Sequence, residues 1–391
     1  MQLTQEIKKF ILEHQDEDPL KLLLKKEAYP DIPMQFAVEQ ILGRKKAKTK
    51  LPTWVENEGI IYPAKLSMEQ CSSEQTAKYK ADLVVGKSLL DMTGGFGVDT
   101  AFFAEKFEKV VYVERNEALF EVAKQNFNTL GLAHVGGVCG NAVDYLQQNK
   151  EQFDVIYLDP ARRDEHAQKV FQLEDCEPNL LEIKSLLLSK SKEVLVKLSP
   201  MLDIKKAVQA LFPSEIHVLA VDNECKEVLC KLDQTKVVNP KLVAVNLKKN
   251  GKMDLFEGYL DDERAYSPVF SEPLQYIYEP NVALLKAGFF NSVAKKYQLN
   301  KLHPHTHIYA SEQLINEFPG RIFVFEKSIG LNKKVLSREI SGKKANITVR
   351  NYPMSVQQIR QKTGLGEGGD VYLFAVTTLG NEKLILKCRK I

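Results

Sequence analysis

The stretch Leu89-Leu90-Asp91-Met92-Thr93-Gly94-Gly95-Phe96-Gly97-Val98-Asp99-Thr100 decides the fold. A short apolar run ends on an acid, glycines follow at Gly94, Gly95 and Gly97, and an amphipathic pattern then begins. That order reads as a strand, a tight turn and a helix. Glycine lets the backbone turn sharply and approach a ligand closely, while the start of the helix offers unpaired N–H groups. The next run, Val110-Val111-Tyr112-Val113-Glu114-Arg115-Asn116, places an acid at a second strand tip, about twenty residues past the glycines, where Glu114 can accept bonds from ribose hydroxyls.

Working outward, short β-branched runs alternate with longer amphipathic stretches, the pattern of a parallel sheet with crossover helices. The strands expected are Ser88–Met92, Val110–Glu114, His134–Cys139, Asp154–Leu158 and Val194–Leu198, with helices over Asp99–Phe107, Glu117–Leu130 and Leu180–Ser189. Ile216–Val221 and Glu227–Leu232 have too few residues between them for a crossover helix, so this pair is expected to be antiparallel.

Two ligand classes fit the glycine loop and Glu114: a dinucleotide or S-adenosylmethionine. The dinucleotide fingerprint is incomplete, because Thr100 stands where its third glycine would. After the third strand comes Gly140-Asn141-Ala142, where Asn141 reads either as a contact to an adenine edge or as a turn residue. The fourth strand runs into Asp159-Pro160-Ala161-Arg162-Arg163, an acid and a rigid turn at a strand tip, which is where ligands sit in open α/β sheets.

Taken in order, the glycine loop, Glu114, Gly140-Asn141 and Asp159-Pro160 resemble class I S-adenosylmethionine-dependent methyltransferases over about residues 65 to 235. The resemblance implies an α/β fold: a doubly wound, seven-stranded Rossmann-like methyltransferase sheet, here with a helical N-terminal segment and a small α+β C-terminal module. It implies S-adenosyl-L-methionine as cofactor, held by Asp91, Thr93, Gly94, Gly95, Gly97, Glu114, Arg115, Asn141, Ala142 and Asp159. Related methyltransferases cover the methionine end of the cofactor with a segment like Leu66–Ala77, which adds Gln70, Ser72 and Thr76; the alternative there is helix capping by Ser72 or Ser73.

Asp159-Pro160-Ala161-Arg162 is similar to the Asp/Asn-Pro-Pro-aromatic motif of methyltransferases that modify amino groups of nucleobases, which implies catalytic roles for Asp159, Pro160 and Arg162. Ala161 departs from the second proline and Arg162 from the aromatic, although a guanidinium plane also stacks on a base. The arginines read alternatively as phosphate contacts or as structural partners of nearby acids. A C5-pyrimidine mechanism would need a nucleophilic cysteine, and the fifth strand ends Lys197-Leu198-Ser199-Pro200 without one.

The chain has 391 residues, 44% hydrophobic and 27% charged, the composition of a soluble globular protein of two or three domains. Its net charge of +3 hides a segregation. Residues 319–391 hold 14 basic and 5 acidic groups, a net +9, and the remainder carries −6. Such asymmetry points to a polyanion-binding module. Six scattered cysteines lack a C-x-x-C pair, so neither zinc nor a disulfide framework is indicated. The N-terminus has no apolar signal region and no long apolar run occurs, so a cytoplasmic protein with no membrane association is expected.

Helical periodicity marks the first fifty residues, which end in the basic run Arg44–Lys50, read as a solvated helix end or a nucleic-acid contact. Asn250-Gly251 signals a hairpin between Leu242–Leu247 and Met253–Glu257. Beyond residue 262 a helix over Val282–Tyr297, strands over Ile308–Ala310 and Arg321–Phe325, then strand, helix, strand, strand are expected, the last helix capped by Ser355 with Gln358. Gly364–Gly369 reads as a helix-to-strand turn, since no Gly-Lys-Ser/Thr follows. His303, His305 and His307 would share one side of an extended segment; without a nearby acid or cysteine, a polar edge is expected there and no metal site.

The layout also resembles a bacterial family of methyltransferases with a ferredoxin-like segment and a THUMP-like domain, a resemblance carried by Tyr352–Ser355 and Gly364–Phe374. The expected divisions are a helical segment over 1–75, the methyltransferase domain over 76–260, a ferredoxin-like segment over 261–318 and a basic THUMP-like domain over 319–391. THUMP domains are associated with RNA, which implies ribosomal or transfer RNA as partner and methylation of an exocyclic base amine. Two alternatives stand: an RNA-binding or assembly factor that binds the cofactor without turnover, and a methyltransferase of protein or DNA.

Overall fold

Short polar side chains set where the helices begin. In the computed structural model, which describes residues 3–162 and 173–391, Thr4, Asp18, Ser73, Asn116, Asn141, Asn179 and Asp203 each accept a hydrogen bond from a first-turn backbone N–H. Contacts divide the chain into two units, residues 1–214 with 228–238 and residues 215–227 with 239–391.

The first unit opens with α1 (Gln5–Glu13), α2 (Pro19–Leu24), α3 (Met34–Lys50), α4 (Pro52–Val55), α5 (Lys65–Gln70) and α6 (Glu74–Leu83). Ile7, Phe10, Ile11, Leu22, Met34, Val38 and Ile41 bury the apolar faces of the first three helices together. The basic run forms the last turns of α3 and holds neighbouring segments. Lys45 donates to the Glu17 carbonyl, Lys46 pairs with Glu69 at 2.8 Å, and Lys50 donates to the carbonyls of Met68 and Glu69 at the end of α5.

The alternating region follows as β1 (Ser88–Asp91), α7 (Val98–Ala104), β2 (Lys109–Glu114), α8 (Glu117–Thr129), β3 (Val135–Cys139), α9 (Ala142–Gln148) and β4 (Phe153–Leu158). A short antiparallel pair, β5 (Ala161–Arg162) and β6 (Cys176–Glu177), comes next, then α10 (Leu180–Lys190), β7 (Ser191–Leu198) and α11 (Ile204–Leu211). β8 (Glu215–Val221) and β9 (Glu224–Leu232) are joined through Asp222 and Asn223, both at positive φ, the conformation of a tight hairpin turn.

Within the first unit the strand order is β3-β2-β1-β4-β7-β9, parallel throughout except that β9 runs antiparallel to β7. This is the doubly wound α/β arrangement the sequence predicts. The carboxyl ends of β1, β2 and β4 therefore gather at one edge. Leu89, Val110, Val155, Leu195 and Leu229 are fully buried between the helices, which fixes the register because a one-residue slip would turn each apolar side chain to the other face.

In the second unit, β8 pairs in parallel with β10 (Lys241–Leu247), which pairs antiparallel with β11 (Met253–Tyr259) across Gly251. After α12 (Asp262–Ala265) come β12 (Tyr276–Pro280), α13 (Val282–Ala287), α14 (Asn291–Tyr297), β13 (Asn300–Lys301), β14 (Tyr309–Ser311) and β15 (Gly320–Ile329). The end of the chain forms α15 (Lys333–Glu339), β16 (Asn346–Arg350), α16 (Val356–Thr363), β17 (Val371–Thr377) and β18 (Lys383–Lys390). These strands make one sheet in the order β13-β14-β12-β15-β18-β17-β16.

Two expectations fail here. The helix over Val282–Tyr297 is two helices, because Gly288 at φ 83° ends α13 and the Glu263 carboxylate accepts the N–H groups of Phe290, Asn291 and Ser292 to start α14. The histidines are not on an extended segment. His303 closes a turn by accepting from the His305 N–H, whereas His307, at φ 51°, stacks on Phe290 with ring centroids 3.7 Å apart, and burial pushes its imidazole down to about 4. The Ser355–Gln358 capping box is present as expected. Among the described residues no helix is long and apolar enough to cross a membrane.

Candidate cofactor and acceptor site

Asp91 is the last residue of β1 and is buried. Its carboxylate accepts the Thr93 N–H at 3.0 Å and the Thr100 hydroxyl at 2.6 Å, tying the loop's entry to the first turn of α7. Burial pushes the Asp91 carboxyl up to about 7, against the lowering effect of those two bonds. Between about pH 4 and pH 7 the folded chain therefore holds a proton that the unfolded chain has released, and stability falls as pH rises through that window. Asp91→Asn keeps an acceptor for Thr93 and offers a donor to Thr100. Its melting temperature should change less than that of the wild type between pH 5 and pH 8; an unaltered pH dependence would remove Asp91 as the cause.

The glycines divide into two kinds. A Cβ on Gly94 would lie 2.0 Å from the Tyr112 ring, and one on Gly97, at φ 82°, 2.6 Å from the Phe127 ring, so these two are glycine because the protein's own aromatics press against them. Gly95 at φ 55° is open: the nearest atom to an added Cβ would be the Thr93 carbonyl oxygen at 3.8 Å. A Cβ added at Gly140, past the tip of β3, would meet no atom within 4 Å. The backbone that remains uncovered is thus at the two strand tips where a nucleoside would be expected.

Glu114, the last residue of β2, accepts the Gly95 N–H at 2.9 Å through one carboxylate oxygen and the Asn116 N–H at 2.7 Å through the other. Each oxygen keeps a lone pair for a further donor. Tyr112 donates from its hydroxyl to the Gly95 carbonyl at 2.6 Å, which completes the loop's support from below; burial pushes its phenol far above the usual range. Arg115 is exposed and paired with Glu177 at 2.5 Å. Asn141 caps α9 by accepting from Val143 and Asp144, the turn role among its two readings, with Ala142 beginning the helix.

Asp159 follows β4. Its N–H donates to the Thr93 hydroxyl at 2.6 Å, joining the acid's loop to the glycine loop, and its carboxylate pairs with Lys197 at 2.5 Å, near the end of β7. Lys197 is largely buried, with its side chain 13% exposed. Pro160 follows at the turn; Arg162 is described by its backbone in β5, and Arg163 lies outside the described residues.

Sequence reasoning missed a second cluster behind this acid. The Asp99 carboxylate, in the first turn of α7, accepts the Tyr157 hydroxyl at 2.7 Å and the Ser72 hydroxyl at 2.8 Å, and lies 3.2 Å from the fully buried Lys80 ammonium. Tyr157 and Ser72 share one carboxylate oxygen, and the other, Oδ1, is buried against the Lys80 ammonium. Burial opposes ionisation of Asp99, yet the charges of Lys80 and Lys197, with the bonds from Tyr157 and Ser72, hold its carboxyl below the usual value. Ser72 is therefore bound to the glycine loop's helix, Thr76 spends its hydroxyl on the Ser73 carbonyl within the cap of α6, and Gln70 is exposed. The available signal was Asp99 inside the glycine-loop stretch and Lys197 at a strand end.

Asp91, Thr93, Gly94, Gly95, Gly97, Glu114 and Asp159 are thus brought together by direct bonds, with Ser72 attached through Asp99. The open Gly95 backbone and the Glu114 lone pairs suit a ligand that carries ribose hydroxyls. S-adenosylmethionine is such a ligand. Among the described residues no group of histidines, cysteines and acids is arranged to hold a metal ion.

Comparison with known proteins agrees with the geometry. Residues 74–209 match the family model "Conserved hypothetical protein 95", residues 276–319 a ferredoxin-like domain and residues 320–390 a THUMP domain-like model. A solved structure from Porphyromonas gingivalis W83, described as a "putative methyltransferase", is 32% identical over the whole of both chains with a TM-score of 0.86. An uncharacterized RNA methyltransferase of Mycoplasma mobile is 32% identical over 133 residues, which is 32% of this chain; the match spans about a third (35%) of that relative's length.

Proposed function

Since this chain belongs to the methyltransferase family that joins the catalytic domain to a ferredoxin-like segment and a THUMP-like domain, we propose that it is a cytoplasmic S-adenosylmethionine-dependent RNA methyltransferase acting on an exocyclic base amine. The observation that carries this reading is the direct bond between the two halves of the site: Asp159 donates its N–H to Thr93, so the acid and the glycine loop are set in one fixed geometry.

When bound, S-adenosylmethionine supplies an already activated methyl group, so the protein's task is orientation. Glu114 would hold the ribose hydroxyls, and Gly95 would let the nucleoside approach the backbone. Asp159 would accept an N–H bond from the base amine and direct the nitrogen lone pair at the methyl group, a role in which a weak base acts mainly through electrostatics. Lys197, 2.5 Å away, holds that carboxylate in place. An amine inside a duplex is out of reach, so the target base is single-stranded or flipped out.

The test is incubation with methyl-labelled S-adenosylmethionine and, separately, total RNA, DNA and protein from a strain lacking the gene, followed by nucleoside analysis. Label in an RNA nucleoside, on an exocyclic nitrogen, is expected. Label confined to protein or DNA would overturn the substrate assignment, and binding of cofactor and RNA without transfer would make the protein a non-catalytic factor.

A further inference from the structure

The basic charge of the C-terminal segment is not spread evenly over its surface. Arg321 and Arg350 both bind the buried Glu279 carboxylate, Lys327 pairs with Glu339, and Lys387 with Glu326 at 3.0 Å. Arg360 donates to the carbonyls of Leu365 and Ala345, and Lys383 to the Thr377 hydroxyl. Eight cations remain exposed: Lys333, Lys334, Arg338, Lys343, Lys344, Lys362, Arg389 and Lys390.

The first six of these cluster. Lys333, Lys334 and Arg338 lie on α15, Lys343 and Lys344 on the turn that follows it, and Lys362 near the end of α16. Leu336, Ile340, Ala345, Ile359 and Leu365 form the apolar core that holds α15, the turn and α16 together. The glycine-rich loop after α16 is bound to the same turn: Gly366 donates to the Lys343 carbonyl at 2.8 Å and accepts the Ala345 N–H at 3.0 Å. The Lys333 Cε lies 3.9 Å from the point where a Gly364 Cβ would stand.

That loop carries a second, independent feature. Gly368 and Gly369 have φ values of 100° and 77°, a backbone open only to glycine at low cost. Among the described residues the N–H groups of Glu367, Gly368 and Gly369 meet no acceptor. Successive unpaired N–H groups beside ammonium groups form a concavity suited to anionic oxygens. The exposed acids Glu367 and Asp370 lie in the same loop, and the six cations outnumber them.

We infer that α15, the Lys343-Lys344 turn and the Gly364–Gly369 loop form the surface that holds the phosphodiester backbone of the RNA substrate. The sheet arginines Arg321 and Arg350 take no part, because Glu279 already occupies them. The inference rests on the RNA reading above and locates it on one edge of the C-terminal segment. Contacts of this kind position RNA without reading its sequence.

The test uses the full chain and fluorescein-labelled bulk transfer RNA, with affinity read by anisotropy over a range of KCl concentrations. Each lost phosphate contact lowers the slope of log Kd against log salt by about 0.7 to 0.9. Lys333→Gln/Lys343→Gln/Lys344→Gln should therefore reduce the slope by about 2 to 3 and weaken binding by about tenfold or more at moderate salt. Its S-adenosylmethionine affinity and melting temperature should match the wild type. Arg389→Gln/Lys390→Gln, which removes exposed charge from β18, should bind RNA as the wild type does. Equal affinity and slope in the triple variant, or the larger loss in the β18 variant, would overturn the assigned surface. A wild type with no affinity for RNA would instead overturn the RNA reading itself.

Discussion

Asp159→Ala should lower the rate of methyl transfer by about 100- to 10,000-fold, the range expected when a positioned acid–base or orienting group is lost. Cofactor affinity should change little, because the bond that joins this segment to the glycine loop is made by the Asp159 backbone N–H, which alanine retains. Truncation also removes the carboxylate that lies 2.5 Å from the largely buried Lys197 ammonium. Asp159→Asn separates the two effects, since it keeps an oxygen acceptor and removes the charge. The checking measurement is single-turnover transfer from labelled cofactor, alongside calorimetric titration of the cofactor. Transfer within threefold of wild type for the alanine variant would exclude Asp159 from the acceptor site.

Gly94→Ala should destabilise the protein by about 2 to 4 kcal/mol, at or above the upper part of the usual range for overpacking a core. The added methyl would stand 2.0 Å from the Tyr112 ring. That ring cannot easily yield: it lies between Phe120 and Phe127, at 5.9 and 5.3 Å between centroids, and its hydroxyl is bonded to the Gly95 carbonyl. Urea unfolding checks the magnitude. Adding Tyr112→Leu should recover part of the loss in a double-mutant cycle, because the clash is pairwise. A Gly94→Ala variant within 0.5 kcal/mol of wild type would show that the loop, not the ring, sets the residue there.

The sheet was legible because each of its first four strands ends on a recognisable tip: Asp91 before the glycines, Glu114, the Cys139-Gly140 turn, and Asp159-Pro160. Short β-branched and apolar runs set between amphipathic stretches are local signals, legible in the chain itself. The reason for the glycines was not legible. Their spacing suggested approach to a ligand, whereas Gly94 and Gly97 answer to Tyr112 and Phe127, residues 18 and 30 positions later that only the folded sheet brings beneath them.

The ionic cluster escaped for the same reason. Asp159 and Lys197 are 38 residues apart and Ser72 and Asp99 are 27 apart, and in sequence such charges look no different from a solvated helix face. Gly288 was visible inside the expected Val282–Tyr297 helix, but a single glycine is tolerated in helices; the Glu263 cap that makes it a break comes from a distant segment. Likewise, counting 14 cations in residues 319–391 gave the sign of the charge but not which members Glu279, Glu326 and Glu339 would neutralise.

The central claim is that the glycine loop and Glu114 form a working S-adenosylmethionine site. Calorimetric titration of the cofactor into wild type and Glu114→Ala tests it most directly, with thermal melts to verify that both are folded. One saturable site in the wild type, weakened about tenfold or more in the variant, is the predicted result, since a carboxylate bonded to ribose hydroxyls contributes about 1.5 to 3 kcal/mol. No binding by the folded wild type, or equal binding by both proteins, would contradict the account.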